Sequence, residues 1–219
     1  MKFLGTPKSH IIFAADLPTL DENLKVIDEI QHQIDVIKVC SPLIYGESVK
    51  AIQKLADRYN KPIFADLKVA DIPYTSASIV KMVRDNGGKA VMVHGFIGID
   101  GIEECLKAAD DKIGIIIQLE LTNPGGILFT QPIADDIAKL SSTLNIYGTQ
   151  APGNRPDRIR AIRNIIGPEK IIVCCGVGYQ GGTLKGVIES GGDYAIIGRA
   201  IYKAPSPLEA VQSILEEAA

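Results

Sequence analysis

The residues able to do chemistry cluster in a few short stretches. Asp66-Leu67-Lys68 interrupts an apolar run with an acid and a base two positions apart, and Asp71 follows three residues later. In an extended strand, alternate residues share a face, so Asp66 and Lys68 point one way and Leu67 the other. A lysine between two carboxylates stays protonated and can give up a proton where negative charge develops. Lys38, near the end of the preceding apolar run, can join them. Taken singly, each charge has a plainer reading. Asp16 reads as a helix cap, Lys38 as a side chain reaching solvent, His94 as a hydrogen-bonded structural histidine, and Glu120 as an ion-pair partner. A second group lies later in the chain. Gly176-Val177-Gly178-Tyr179-Gln180-Gly181-Gly182 and Ile197-Gly198-Arg199 each follow an apolar run. Glycines let backbone amides approach an anion, and an arginine can clamp it, so these two loops predict a phosphate site.

The elements that must position these residues are short, β-branched runs at 10–16, 35–40, 62–68, 89–94, 113–120, 144–150, 170–176 and 193–199. Near-continuous apolar runs are what parallel strands covered by helices show. Between them lie segments of helical period. Leu20, Leu24, Ile27 and Ile30 share one face, as do Val49, Ile52, Leu55 and Ala56, and Ile159, Ile162, Ile165 and Ile166 before Gly167. Ser206 caps a last helix. Strand starts recur about every 23–31 residues, enough for one strand, one helix and two loops. Eight such units spanning 1–219 predict an α/β fold, a (β/α)8 TIM barrel in a single domain, over an open doubly wound sheet. Barrel chemistry belongs at the strand C-termini, where Asp16, Lys38, Asp66, Lys68, His94, Glu120, Thr122, Gln180 and Arg199 fall. The loops after strands seven and eight are the recurrent barrel phosphate site.

Composition excludes several classes. With 23 basic and 26 acidic residues the net charge is −3, and the chain has no tryptophan, so nothing reads as a nucleic-acid footprint. No apolar run approaches the roughly 18 residues of a membrane span. The start MKFLGTPKSHIIFAADL does not read as a signal peptide, and a cytoplasmic protein is expected. Cys40, Cys105, Cys174 and Cys175 lack metal-ligand spacing and read as reduced, packed thiols.

Ala65 to Thr75, ADLKVADIPYT, resembles the D-x-K-x-x-D-I-x-x-T signature of the orotidine 5′-phosphate decarboxylase family. The likeness runs the length of the chain: Asp16, Lys38, His94-Gly95-Phe96, Arg155-Pro156, the glycine-rich loop 176–182, and Ile197 to Tyr202. It implies decarboxylation of orotidine 5′-phosphate to uridine 5′-phosphate, the last step of de novo pyrimidine nucleotide synthesis, without a cofactor or metal. By that resemblance Lys68 is the proton donor and Asp66 lies beside the substrate carboxylate. Lys38 completes the charge network and contacts ribose, as does Asp16. Asp71 and Thr75 reach the partner's site in a homodimer. Gln180, Arg199 and the Gly198 amide grip phosphate. Ile72, Thr122, Cys175, Gly176, Val177, Gly178, Gly181 and Gly182 complete the nucleotide site. Three positions depart from the family's usual pattern. Thr122-Asn123-Pro124-Gly125 replaces Ser-x-Pro-Gly, Cys175 replaces a proline, and Gln118 stands inside strand five where an apolar residue is usual. Two other readings remain. One is a metal-dependent sugar-phosphate decarboxylase or aldolase on the same barrel, with Glu120 and Asp66 as oxygen donors. The other is a non-catalytic binder of phosphorylated ligands.

Overall fold

Each of the eight apolar runs becomes a parallel strand in the computed structural model, which describes residues 2–219. The strands are β1 (Ile11–Ala15), β2 (Val36–Cys40), β3 (Ile63–Val69), β4 (Ala90–His94), β5 (Gly114–Gln118), β6 (Gly148–Pro152), β7 (Ile171–Cys175) and β8 (Tyr194–Ile197). They pair in chain order, and β8 closes onto β1 through Ile11↔Ala195 and Phe13↔Ile197, so the sheet is a closed barrel. Around it run α1 (Leu20–Ile30), α2 (Ser41–Glu47), α3 (Lys50–Tyr59), α4 (Pro73–Asp85), α5 (Gly98–Ala109), α6 (Pro124–Phe129), α7 (Gln131–Ser142), α8 (Pro156–Ile166), α9 (Leu184–Glu189), α10 (Arg199–Tyr202) and α11 (Pro207–Glu216).

Local sequence explains the element ends. Thr19 and Glu22 form a reciprocal capping box at the start of α1. Ser206 accepts from the Glu209 amide at the start of α11. Gly167, at φ 73°, ends α8. The sixth strand differs from expectation. It begins at Gly148 rather than Leu144 and runs on through Pro152. Leu144 to Tyr147 read as apolar because Ile146 is buried and the Tyr147 hydroxyl accepts from the Leu4 amide, not because they lie in the sheet.

Strand alternation separates two cores. Ile11, Phe13, Ile37, Val39, Ile115 and Ile117 face the helices. Ile12, Val36, Phe64, Ile116, Val173 and Tyr194 fill the barrel. Leu4, only 2% exposed, plugs the N-terminal end, and its carbonyl accepts from the Tyr194 hydroxyl. The interior is therefore closed below and open only at the strand C-termini.

Candidate active site

The first three strands end in a row of alternating charges. The Lys38 ammonium lies 3.0 Å from Asp16 Oδ1 and 3.3 Å from Asp66 Oδ2, and the Lys68 ammonium lies 2.6 Å from Asp66 Oδ1. The array Asp16–Lys38–Asp66–Lys68 is neutral overall, which makes its burial tolerable. Its two inner members are buried and its two ends are open to the mouth: Lys38 and Asp66 side chains are 5% exposed, against 37% for Lys68 and 34% for Asp16. Burial alone would lower the Lys38 pKa, but Asp66 and Asp16 outweigh it and hold the ammonium well above its ordinary range. Burial would likewise raise Asp66, but Lys38 and Lys68 outweigh it and keep the carboxyl below its usual value. Asp16, read singly as a cap, is an ion-pair partner, and Thr19 caps the helix instead.

Lys68 reaches this position through a distorted backbone. Its φ is +47°, in the left-handed region, and the β3–β4 register shifts between Ala65 and Val69. That conformation costs a non-glycine residue about 1–2 kcal/mol. The simple two-residue pleat therefore breaks at Lys68, yet the ammonium still meets Asp66. It also lies 3.8 Å from Met92 Sδ.

Asp71 does not join the array of its own chain. It is exposed on the rim, where its Oδ1 accepts from the Ile72 amide at 2.7 Å. Thr75 is half-buried in the first turn of α4. Ile72 is 66% exposed. None of the three lines the mouth of this barrel.

The mouth itself is a cavity of about 460 Å³, bounded by Asp16, Lys38, Asp66, Lys68, Thr122, Cys175, Gly176, Val177, Gln180, Gly198 and Arg199 among the expected site residues. That volume suits a nucleotide-sized ligand. Gly178, Gly181 and Gly182 stand behind this lining. Their amides are used inside the loop, Gly178 to the Gly182 carbonyl, Gly181 to that of Gly178, and Gly182 to that of Gly176. These glycines shape the loop rather than offer donors. At Gly178, φ +76°, a side chain would meet Ala200 Cβ at 2.7 Å, and at Gly182 it would meet the Gly153 carbonyl oxygen at 2.6 Å.

Arg199 makes no ion pair among the described residues. Its guanidinium stacks on the Tyr179 ring, 3.9 Å from the centroid. Stacking uses the face of the guanidinium and leaves its edge donors free for an anion. Sequence reasoning gave Tyr179 no role; an aromatic residue inside a glycine loop was the available signal. Arg199→Ala should raise KM for a phosphorylated substrate about 10- to 100-fold, the worth of a charge-assisted hydrogen bond. Steady-state kinetics checks this, and an unchanged kcat/KM would remove Arg199 from the grip.

Two neutral groups lie close to the array, Cys175 in the cavity wall and His94 behind it. Burial pushes the Cys175 thiol up to about 11. Burial, with the Lys68 charge second, lowers His94 to about 4. His94 stacks on Phe96, ring centroids 4.5 Å apart. All four cysteines are free.

Glu120 is fully buried and serves the scaffold. Arg155 and Arg158 each approach it at 2.8 Å, and Gln131 donates to it at 3.0 Å. The plain ion-pair reading of Glu120 is the one this geometry matches. Glu120→Ala would leave Arg155 without a carboxylate partner and Arg158 with Asp135 alone, a loss of about 3 kcal/mol. The expected outcome is a Tm lower by on the order of 10 °C, measured by thermal unfolding. A shift within 2 °C would show that the pair of arginines finds other partners.

A closed parallel barrel with an acid–base array on one side of its mouth and an unpaired arginine over a glycine loop on the other defines a class: a (β/α)8 barrel built for chemistry on a phosphorylated ligand. Residues 9–214 match the family model described as orotidine 5′-phosphate decarboxylase / HUMPS family. The chain belongs to that family. Proteins named orotidine 5′-phosphate decarboxylase from Methanococcoides burtonii and Methanosarcina barkeri are 38% and 41% identical, each over 96% of this chain and 97% and 95% of their own lengths. The crystal structure of the orotidine 5′-monophosphate decarboxylase from Methanocaldococcus jannaschii complexed with inhibitor BMP superposes with a TM-score of 0.89 at 32% identity, covering 97% of this chain and 98% of that one. The Pyrococcus horikoshii orotidine 5′-phosphate decarboxylase structure gives 0.87 at 36% identity, covering 95% and 98%.

Proposed function

We propose that this chain, as one catalytic domain over residues 1–219, decarboxylates orotidine 5′-phosphate to uridine 5′-phosphate with Lys68 as the proton donor. The observation that carries the reading is the array Asp16–Lys38–Asp66–Lys68, whose one cation at an open end is Lys68. Loss of carbon dioxide from the orotate ring leaves an electron pair on a ring carbon. The Lys68 ammonium stabilises that pair as it develops and then transfers a proton to it. Asp66, held ionised beside Lys68, faces the same point and disfavours a second carboxylate there. Lys38 keeps Asp66 charged. Arg199 and Gln180 hold the phosphate, and binding energy from that end aligns the ring with Lys68.

The residues do not fit a metal in the manner of a sugar-phosphate lyase. Both Glu120 oxygens are engaged by arginines, and Asp66 lies between two ammonium groups. Loss of orotidine 5′-phosphate absorbance over time, with and without chelator, tests the reading. Turnover indifferent to chelator supports it. Turnover only of sugar phosphates, abolished by chelator, would favour the metal-dependent lyase, and binding without turnover the non-catalytic relative.

The active form is a homodimer in which Asp71 and Thr75 complete the partner's site. What supports this is the rim: Asp71 is free of its own Lys68, and the neighbouring Ile72 and Tyr74 are 66% and 81% exposed, apolar surface that a second copy would cover. Among the described residues no helix is long and apolar enough to cross a membrane, and a cytoplasmic location fits a soluble nucleotide substrate.

A further inference from the structure

Two glutamines lie inside the barrel on β5 and β6, across from the charged ends of β2 and β3. Gln118 on β5 is 2% exposed, and Gln150, its ladder partner on β6, is fully buried. Gln118 Nε2 donates to Gln150 Oε1 at 2.7 Å and to the Glu120 carbonyl at 3.1 Å, and the Glu120 amide donates to Gln150 Oε1 at 3.2 Å. These contacts fix both amides, since turning either one over would set like groups against the Glu120 backbone. Two atoms are then left without a partner, the donor Gln150 Nε2 and the acceptor Gln118 Oε1. A buried unpaired amide is costly, so such a pair calls for a ligand group.

Their height in the barrel says which group. The sheared ladders set Gln118 in one interior layer with Asp66 and Cys175, and Gln150 in the adjoining layer with Lys38 and Met92. Asp66, Cys175 and Lys38 all line the mouth cavity. Lys68 Nζ reaches the same depth at Met92 Sδ, 3.8 Å away. The glutamines therefore lie at the level of the Lys68 ammonium, buried directly behind the lining of the cavity. Whatever leaves from the carbon that Lys68 protonates departs within this level.

We propose that Gln118 and Gln150, behind the cavity lining at the level of Lys68, form a polar subsite that recognises the leaving group, Gln150 Nε2 donating to an oxygen of the reacting carboxylate and Gln118 holding that amide in place. This rests on the decarboxylase reading above. The contact is strong to a charged carboxylate and is lost as neutral carbon dioxide forms. It therefore tightens substrate binding without speeding the chemical step. Gln150 is a specificity-determining residue and Gln118 a positioning residue.

The test compares ligands that differ only at this end. Gln150→Val should raise KM for orotidine 5′-phosphate about 10-fold, leave kcat equal or higher, and change the Kd of uridine 5′-phosphate, which has no leaving group, less than about 2-fold. Gln118→Leu should move the same values in the same direction by less. An unchanged KM, or equal losses for both nucleotides, would overturn the subsite. An interior substitution can fail to fold, so the unaltered protein answers too. Uridine 5′-phosphate bearing a carboxamide at the reacting carbon should bind about 10-fold more tightly than the same nucleotide bearing an isopropyl group of similar size. Equal or tighter binding of the isopropyl compound would mean that this level of the barrel is apolar to ligands. If the unaltered protein fails to turn over orotidine 5′-phosphate at all, the functional reading fails instead, and the two failures are distinguishable.

Discussion

Lys68→Ala should lose turnover by at least about 10⁴-fold while the barrel folds and still binds phosphorylated nucleotide. General acid catalysis contributes typically 10²–10⁴-fold and a preorganised charge about 10²–10³-fold, and one side chain supplies both here. No neighbour can stand in. Lys38 is clasped by Asp16 and Asp66, is 5% exposed, and is held protonated by both. His94 is lowered to about 4 by burial, with the Lys68 charge second, so it is neutral at pH 7. The fold survives because Asp66 keeps Lys38 at 3.3 Å, so its buried charge stays paired. The positive φ of Lys68 adds a second readout. Lys68→Gly should be as inactive as Lys68→Ala but more stable than it by about 1 kcal/mol, because glycine adopts this conformation without a Cβ clash. Denaturant unfolding of the two variants measures the difference. A folded Lys68→Ala protein with near-normal turnover would remove Lys68 from the donor role.

The strain at Lys68 also marks where sequence reasoning ran out. Strand order and barrel closure were legible because eight apolar runs at even spacing permit few other architectures. The Asp66–Lys68 pairing was legible from the strand period, although the backbone leaves that period at Lys68 itself. Positive φ at a lysine has no sequence signal. The glycine loop was legible as a special backbone but not in its hydrogen bonding. Three of its amides turn inward, and the anion-facing character passes to Arg199, which Tyr179 holds. Leu144 to Tyr147 misled because a loop segment with three apolar residues, Ile146 among them buried, looks like a strand over so short a run. Gln118 stood out as polar within an apolar strand. Gln150 did not, because its strand carries Gly148, Thr149 and Pro152 and never read as uniformly apolar. Their pairing depends on a β5–β6 register that only the folded barrel supplies.

Mixing inactive Lys68→Ala with inactive Asp71→Ala should restore activity to about one quarter of the wild-type level. The premise is that Asp71 serves the other subunit. Within its own chain the Asp71 carboxylate accepts from the Ile72 amide at 2.7 Å and makes no ion pair with Lys68. Lys68 has one carboxylate, Asp66, and its exposed side has room for a second from outside. In a two-fold dimer each rim reaches the other's mouth by the same contact, so each site takes Lys68 from one chain and Asp71 from its partner. A heterodimer of the two variants then concentrates both lesions in one site and leaves the other intact. Random exchange makes about half of all dimers heterodimers, and half of their sites are whole, which gives about one quarter. Each variant alone has a lesion in every site and stays inactive at any concentration. Activity that rises with mixing time, at the rate of subunit exchange followed by a fluorescent label, is the expected signature. If exchange proceeds and activity stays at the level of the single variants, Asp71 acts within its own chain or not at all.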